Sequence, residues 1–98
     1  SMHTDNNSAF LDADKISFPL ILRHWQEGDS FFPLGMKGKK LLSDYFIDEK
    51  FSMEEKQQQF LLLTDNTVLW VVGKRLAEYA RLTPTTQNIL QIKVSYNE

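Results

Sequence analysis

Two glycines and three lysines fall within six consecutive residues, Gly35-Met36-Lys37-Gly38-Lys39-Lys40, a composition suited to holding a phosphate oxygen. Glycine reaches positive φ without a Cβ penalty, so backbone N–H groups in such a loop can turn outward together while the lysines surround them with positive charge. The pattern is not that of a nucleotide-hydrolysing loop. Gly-x-x-Gly-Lys-Lys lacks the four-residue span between glycines and the hydroxyl after lysine that holds magnesium. Lys37, Lys39 and Lys40 are the leading candidates for a phosphate-bearing ligand, with Arg23, Lys74 and Arg75 as secondary ones. Two cations at the start of a helix oppose its dipole, and an anion seated between them would relieve that conflict.

No other reactive set presents itself. Cysteine is absent, which excludes a thiolate metal site and a disulfide framework and fits a reducing compartment. His3 lies in a polar terminus, and His24, read as half buried on a strand, has no paired ligand at short spacing, so no metal site is assigned. Asp44 and Asp48 stand one helical turn apart and could imitate a catalytic carboxylate pair. They read instead as solvated charges partnered with Lys40 or Lys37. No catalytic residue is assigned, and no cofactor is expected in this domain.

The elements that must position the loop follow from periodicity. Residues 1–8 are polar and read as a disordered tag or linker, with Ser1-Met2 as a cloning remnant of a domain cut from something longer. Residues 9–96 form the single domain. Ala9 to Asp14 allows a short edge strand, and Ile16 to Trp25 alternates as a strand that must begin near Pro19 or lie at an edge. After a Gly28-Asp29 turn, Phe31, Phe32, Leu34 and Met36 form an apolar loop expected against the core. A helix is expected over Lys39 to Lys50, with Leu41, Leu42, Tyr45 and Phe46 as its apolar stripe. Ser52-Met53-Glu54-Glu55 has the arrangement of a capping box and predicts a second helix ending in Gln57-Gln58-Gln59.

Phe60 to Thr64 and Val68 to Val72 form a hairpin across a three-residue turn, Asp65-Asn66-Thr67, with both faces covered. Gly73 ends that hairpin. Leu76 to Leu82 fits strand or helical turn equally, and Asn88 to Ser95 closes the chain as a strand. Trp25, Phe31, Phe32, Tyr45, Phe46 and Trp70 are assigned to the core. The element list is that of a short β-rich α+β domain.

Composition sets the limits. A chain of 98 residues makes one domain and buries roughly two thirds of the surface its unfolded form exposes. No apolar run approaches the ~20 residues of a membrane span, and no signal peptide is evident. The net charge of −2 is unlike that of a dedicated nucleic-acid domain. It is uneven, however: Arg23 to Lys40 carries four basic and two acidic residues, a modest basic patch on an acidic body.

The segment Arg23 to Lys50, RHWQEGDSFFPLGMKGKKLLSDYFIDEK, resembles the C-terminal domain of bacterial tRNA(Ile)-lysidine synthetases. That family carries Arg-x-Trp-x-x-Gly-Asp, then Pro-Leu-Gly-Met, a basic Lys-Lys and a Leu-Ser-Asp-aromatic-aromatic-Ile-Asp helix. Arg23, Trp25, Gly28, Asp29, Pro33 to Met36, Lys39, Lys40, Leu42 to Asp48 and Lys50 match in order. The resemblance implies a small layered, β-sandwich-like domain with one or two short helices, similar to a module of the phenylalanyl-tRNA synthetase beta chain. It also implies a cytoplasmic parent ligase whose separate catalytic domain uses ATP with magnesium to join lysine to the wobble cytidine of tRNA(Ile).

On the same basis this domain would grip the acceptor stem of tRNA(Ile), which makes Arg23, Lys37, Lys39, Lys40, Lys74 and Arg75 candidate RNA contacts. The other reading is a non-catalytic module that packs on the catalytic domain or forms a homodimer. The Ser-Gly-Gly-x-Asp-Ser loop expected of an adenylating ligase is absent here. Met53 to Gln59 is also less basic than the family pattern, which implies fewer RNA contacts.

Overall fold

The computed structural model describes residues 6–96. The chain runs β1 (Ser8–Asp12), a short 3-10 turn (Ala13–Lys15), β2 (Ile21–His24), β3 (Ser30–Phe31), β4 (Lys40–Leu41), α1 (Leu42–Asp48), α2 (Met53–Gln58), β5 (Phe60–Thr64), β6 (Thr67–Val71), β7 (Arg75–Leu76) and β8 (Ile89–Lys93). Every pairing is antiparallel. A four-stranded sheet in the order β2-β5-β6-β7 is flanked by two ribbons, β1-β8 and β3-β4.

The hairpin β5-β6 is the centre of the molecule because its nearly continuous apolar sequence needs cover on both faces. Leu61, Leu63, Val68 and Val71 pack with Phe31, Leu42, Tyr45 and Phe46, so α1 and the β3-β4 ribbon close one side. Leu62, Leu69, Trp70 and Val72 pack with Ala9 and Leu11, and with the partly buried Ile92 and Val94, so β1-β8 closes the other. Burying each such large side chain stabilises the fold by about 1.5–3 kcal/mol. The layered, β-rich α+β class expected from the sequence is the one observed.

Several boundaries differ for local reasons. The β5-β6 turn has two central residues, Asp65 and Asn66, both left-handed at φ 44 and 65, the conformation a type I′ turn demands. Thr67 pairs with Thr64 instead of turning, and a bulge between Leu62 and Leu63 absorbs the register change. Only Ile21–His24 of the expected Ile16–Trp25 strand is paired. It lies at the sheet edge just after Pro19, which has no N–H for a ladder.

In β1, Asp12 is 6% exposed, and its carboxylate is satisfied within the fold. One oxygen accepts from the Asp14 N–H at 3.0 Å and the other from the Thr86 hydroxyl at 3.2 Å. The domain boundary moves too: Ser8 opens β1, and the Asn7 carbonyl accepts from the Val94 N–H at 2.8 Å. The rest of the expected linker, residues 1–5, lies outside the described residues. His24 is exposed rather than half buried, and stacks on Phe60 at 4.1 Å.

The largest revision concerns α1. It begins at Leu42, not Lys39, because the backbone of Lys40 and Leu41 pairs with Phe31 and Ser30 as β4. The Leu42 N–H donates to the Asp29 carbonyl at 2.9 Å. Leu41 precedes the helix in extended conformation with no side-chain cap, and its own side chain is exposed. The capping box of α2 forms as predicted, with Ser52 accepting from the Glu55 N–H at 3.0 Å and Glu55 accepting from the Ser52 N–H at 2.9 Å.

Candidate nucleic-acid interface

The loop from Phe32 to Lys39 joins β3 to β4, and its first half is pinned to the segment after β7. Pro33 forms a β-bridge with Ala77. The Leu34 N–H donates to the Leu76 carbonyl at 2.9 Å and the Glu78 N–H to the Phe32 carbonyl at 2.7 Å. Gly35 and Gly38 sit at φ 80 and 90, and a Cβ at either would meet no atom within 4 Å. Glycine is required there for backbone conformation, not for space. The imagined cradle of outward N–H groups is incomplete, because the Gly35 N–H is taken by Glu78 Oε1 at 2.8 Å.

The candidate cations separate by what each already touches. Lys37 and Lys39 are exposed and make no hydrogen bond or ion pair with any described residue. Lys40 is ion-paired to Asp48, one of the partnerships the sequence suggested. No lysine therefore lies in the first turn of α1, and the expected pair of cations at the start of the helix is not formed.

Arg23 is held as well. Its Nη1 and Nη2 donate to the two carboxylate oxygens of Asp29 at 2.9 and 3.0 Å, and Nη1 donates also to the His24 carbonyl at 3.0 Å. The Asp29 hydrogen bond raises the Arg23 pKa against the opposing effect of burial. Burial acts to raise the Asp29 carboxyl, but hydrogen bonds from Arg23 and the Gln26 N–H, with the Arg23 charge, hold it below the usual value.

Lys74 lies 5.3 Å over the Phe51 ring and 4.0 Å from Glu55 Oε2, and stays exposed. Arg75 donates through Nη2 to the Leu34 carbonyl at 2.6 Å, bracing the glycine loop from below. Lys74, Arg75 and Arg81 share a cleft of about 420 Å³ that Leu34 also lines, so a second group of cations adjoins the loop. Arg81 is not among the candidate contacts read from the sequence, and only the fold brings it beside them.

Two side chains expected in the core are outside it. Phe32 is 52% and Met36 44% exposed. Phe31 and Pro33 on either side of Phe32 are buried, so the alternation of extended backbone turns Phe32 outward. Trp25, Phe31, Tyr45, Phe46 and Trp70 do pack inward as expected, and the Trp25 ring donates through Nε1 to the Lys56 carbonyl at 2.7 Å. Among the described residues no three metal-binding side chains are grouped, and no helix is long and apolar enough to cross a membrane.

Comparison with known proteins places this geometry. Residues 20–94 match the family model described as the TilS substrate C-terminal domain. The tRNA(Ile)-lysidine synthase of Parabacteroides distasonis is 51% identical over 82 residues, covering 84% of this chain and 19% of that protein. That of Bacteroides thetaiotaomicron is 38% identical over 90 residues, covering 92% and 21%. The chain thus spans about a fifth of the length of these relatives.

Among solved structures, a TilS C-terminal domain superposes with TM-score 0.78 at 23% identity, covering all of this chain and 77% of that one. An N-terminal fragment of the phenylalanyl-tRNA synthetase beta-subunit from Pyrococcus horikoshii superposes with TM-score 0.73 at 24% identity, covering 86% and 26%. These two carry the fold, and they bear out the likeness to both modules expected from the sequence. With the family model matched from the first sheet's edge strand through the last strand, the chain belongs to the TilS substrate C-terminal domain family.

Proposed function

We propose that this domain is the tRNA-recognition part of a tRNA(Ile)-lysidine synthase and that it contacts the acceptor stem of tRNA(Ile) through backbone phosphates. The observation that carries the reading is the contrast among the lysines. Lys37 and Lys39 stand exposed and unpaired on a braced glycine loop, while nearby Lys40 and Arg23 are neutralised by Asp48 and Asp29. Cations left free on a rigid support suit an A-form stem, which proteins read mainly through phosphates, 2′-hydroxyls and a shallow minor groove. Lys74 extends the contact from the adjoining cleft, whereas Arg75 braces the loop backbone and Arg23 and Lys40 are held in ion pairs.

In this reading the catalytic domain elsewhere in the parent chain binds ATP with magnesium, joins lysine to the wobble cytidine and works in the cytoplasm. The experiment is tRNA(Ile) binding as a function of salt. Each phosphate contact contributes about 0.7–0.9 to the slope of log K against log salt. Lys37→Ala with Lys39→Ala should therefore flatten that slope by about 1.4–1.8. Unchanged affinity and slope in the double variant would reject the assignment.

One observation supports a second reading, docking onto another protein surface. Ile21 and Leu22 are exposed on the edge strand β2, with Phe18 exposed just before it, a place where sheets recruit partners. A mass of two chains by size exclusion at micromolar concentration, lost on Leu22→Lys, would favour a homodimer through that edge; a monomer would leave the catalytic domain as its occupant.

A further inference from the structure

Beside the lysine loop lies a cleft of about 590 Å³ that the phosphate reading does not use. Phe32, Met36 and Tyr79 line it with exposed apolar surface, and Asn66 and Thr67 supply polar groups. Its volume falls within the range of about 300–1,000 Å³ typical of small-ligand sites. Tyr79 is 49% exposed, as open to solvent as Phe32. Two aromatic rings and a methionine left exposed in one concavity form an apolar surface without cover.

Charge decides what would cover it. Lys37 and Lys39 are the covalent neighbours of Gly38, which lines the cleft, so two exposed, unpaired lysines are attached to the backbone at its edge. The one carboxylate in the lining, Glu78, is already engaged, with Oε1 accepting from the Gly35 N–H at 2.8 Å and Oε2 facing Arg81 Nε at 2.7 Å. An apolar, aromatic floor with cations at the rim and its acid neutralised matches a flat ring carried on a phosphodiester chain. Stacking on aromatic side chains, with backbone phosphates held by lysine, is how proteins take unpaired nucleotides.

We infer that this cleft receives an unpaired nucleobase from the single-stranded end of the acceptor stem, stacked on Phe32 and Tyr79, while Lys37 and Lys39 hold the adjoining phosphates. The inference rests on the RNA reading above and deepens it. The duplex is gripped by charge and its loose end by stacking, so the domain measures where the stem stops. The polar edge formed by Asn66 and Thr67 gives the base hydrogen-bonding partners without fixing its identity.

The test compares two RNAs of the same stem sequence binding to the 98-residue chain, one blunt and one with an unpaired 3′ strand whose first base is a fluorescent adenine analogue. The overhang should tighten binding at least about fivefold and quench the analogue. Phe32→Ala should abolish both effects while leaving the blunt duplex bound as before, and Phe32→Trp should retain them. Because Phe32 is half exposed, neither substitution removes core packing. An overhang that adds nothing, or a gain that survives Phe32→Ala and Tyr79→Ala together, would overturn the inference while lysine-dependent binding of the blunt duplex upheld the phosphate reading; the cleft would then belong to a protein partner. Failure of both duplexes to bind would overturn both.

Discussion

Replacing Arg23 and Asp29 by alanine, singly and together, tests whether the basic patch divides into free and structural cations as the geometry dictates. The pair is bidentate, at 2.9 and 3.0 Å, and Asp29 Oδ2 accepts a third bond from the Gln26 N–H at 2.6 Å. The side chains retain 31% and 16% of their exposure. An open surface pair contributes about 0.2–1 kcal/mol, and hydrogen bonds to charged groups about 1.5–3 kcal/mol. Partial burial puts the coupling energy between these, at about 1–2 kcal/mol.

Asp29→Ala should cost more than Arg23→Ala, since it also strips the Gln26 N–H of its acceptor and loosens the turn whose carbonyl receives the first amide of α1. Urea unfolding of the unmodified chain and the three variants closes the cycle, and the larger loss should lower Tm by roughly 4–8 °C per kcal/mol. The slope of tRNA affinity against salt should not change in Arg23→Ala. A coupling energy under about 0.3 kcal/mol, within the additivity of independent sites, or a flattened salt slope on removing Arg23, would refute the division.

The same pair sets an acid limit. Asp29 ionises in the folded chain below its ordinary value of 3.8, so between those two values the unfolded chain binds more protons and stability falls as pH falls. Its contribution is complete above pH 3.8, and the unmodified chain should lose more stability below that point than Asp29→Asn does, as measured by urea midpoints across the acid range. A separate outcome concerns α2, which has six residues and buries none of them, so its capping box carries much of its stability. Ser52→Ala should cost about 1 kcal/mol and speed amide exchange at Glu55, whose N–H the Ser52 hydroxyl accepts.

What the chain announced in one dimension was everything governed by near neighbours. The capping box is a contact across three residues, the Asp65-Asn66 turn needs left-handed backbone that Asn tolerates, and the unbroken apolar runs of β5 and β6 require cover on both faces. The ordered match from Arg23 to Lys50 was likewise sufficient to reach the family that the comparisons bear out. The turn length slipped by one residue because Thr67 joins the ladder, which the bulge at Leu62/Leu63 permits.

Only the tertiary structure decided which cations are free and which aromatic rings are covered, because those outcomes depend on partners remote along the chain. Lys40 leaves the expected helix because β3 claims its backbone, and its side chain then meets Asp48. Phe32 turns outward because Pro33 is fixed against Ala77, 44 positions later in the sequence. Composition can count lysines and phenylalanines. It cannot say which of them an acid or a neighbouring strand will occupy, since that is settled by long-range pairing and not by residue type.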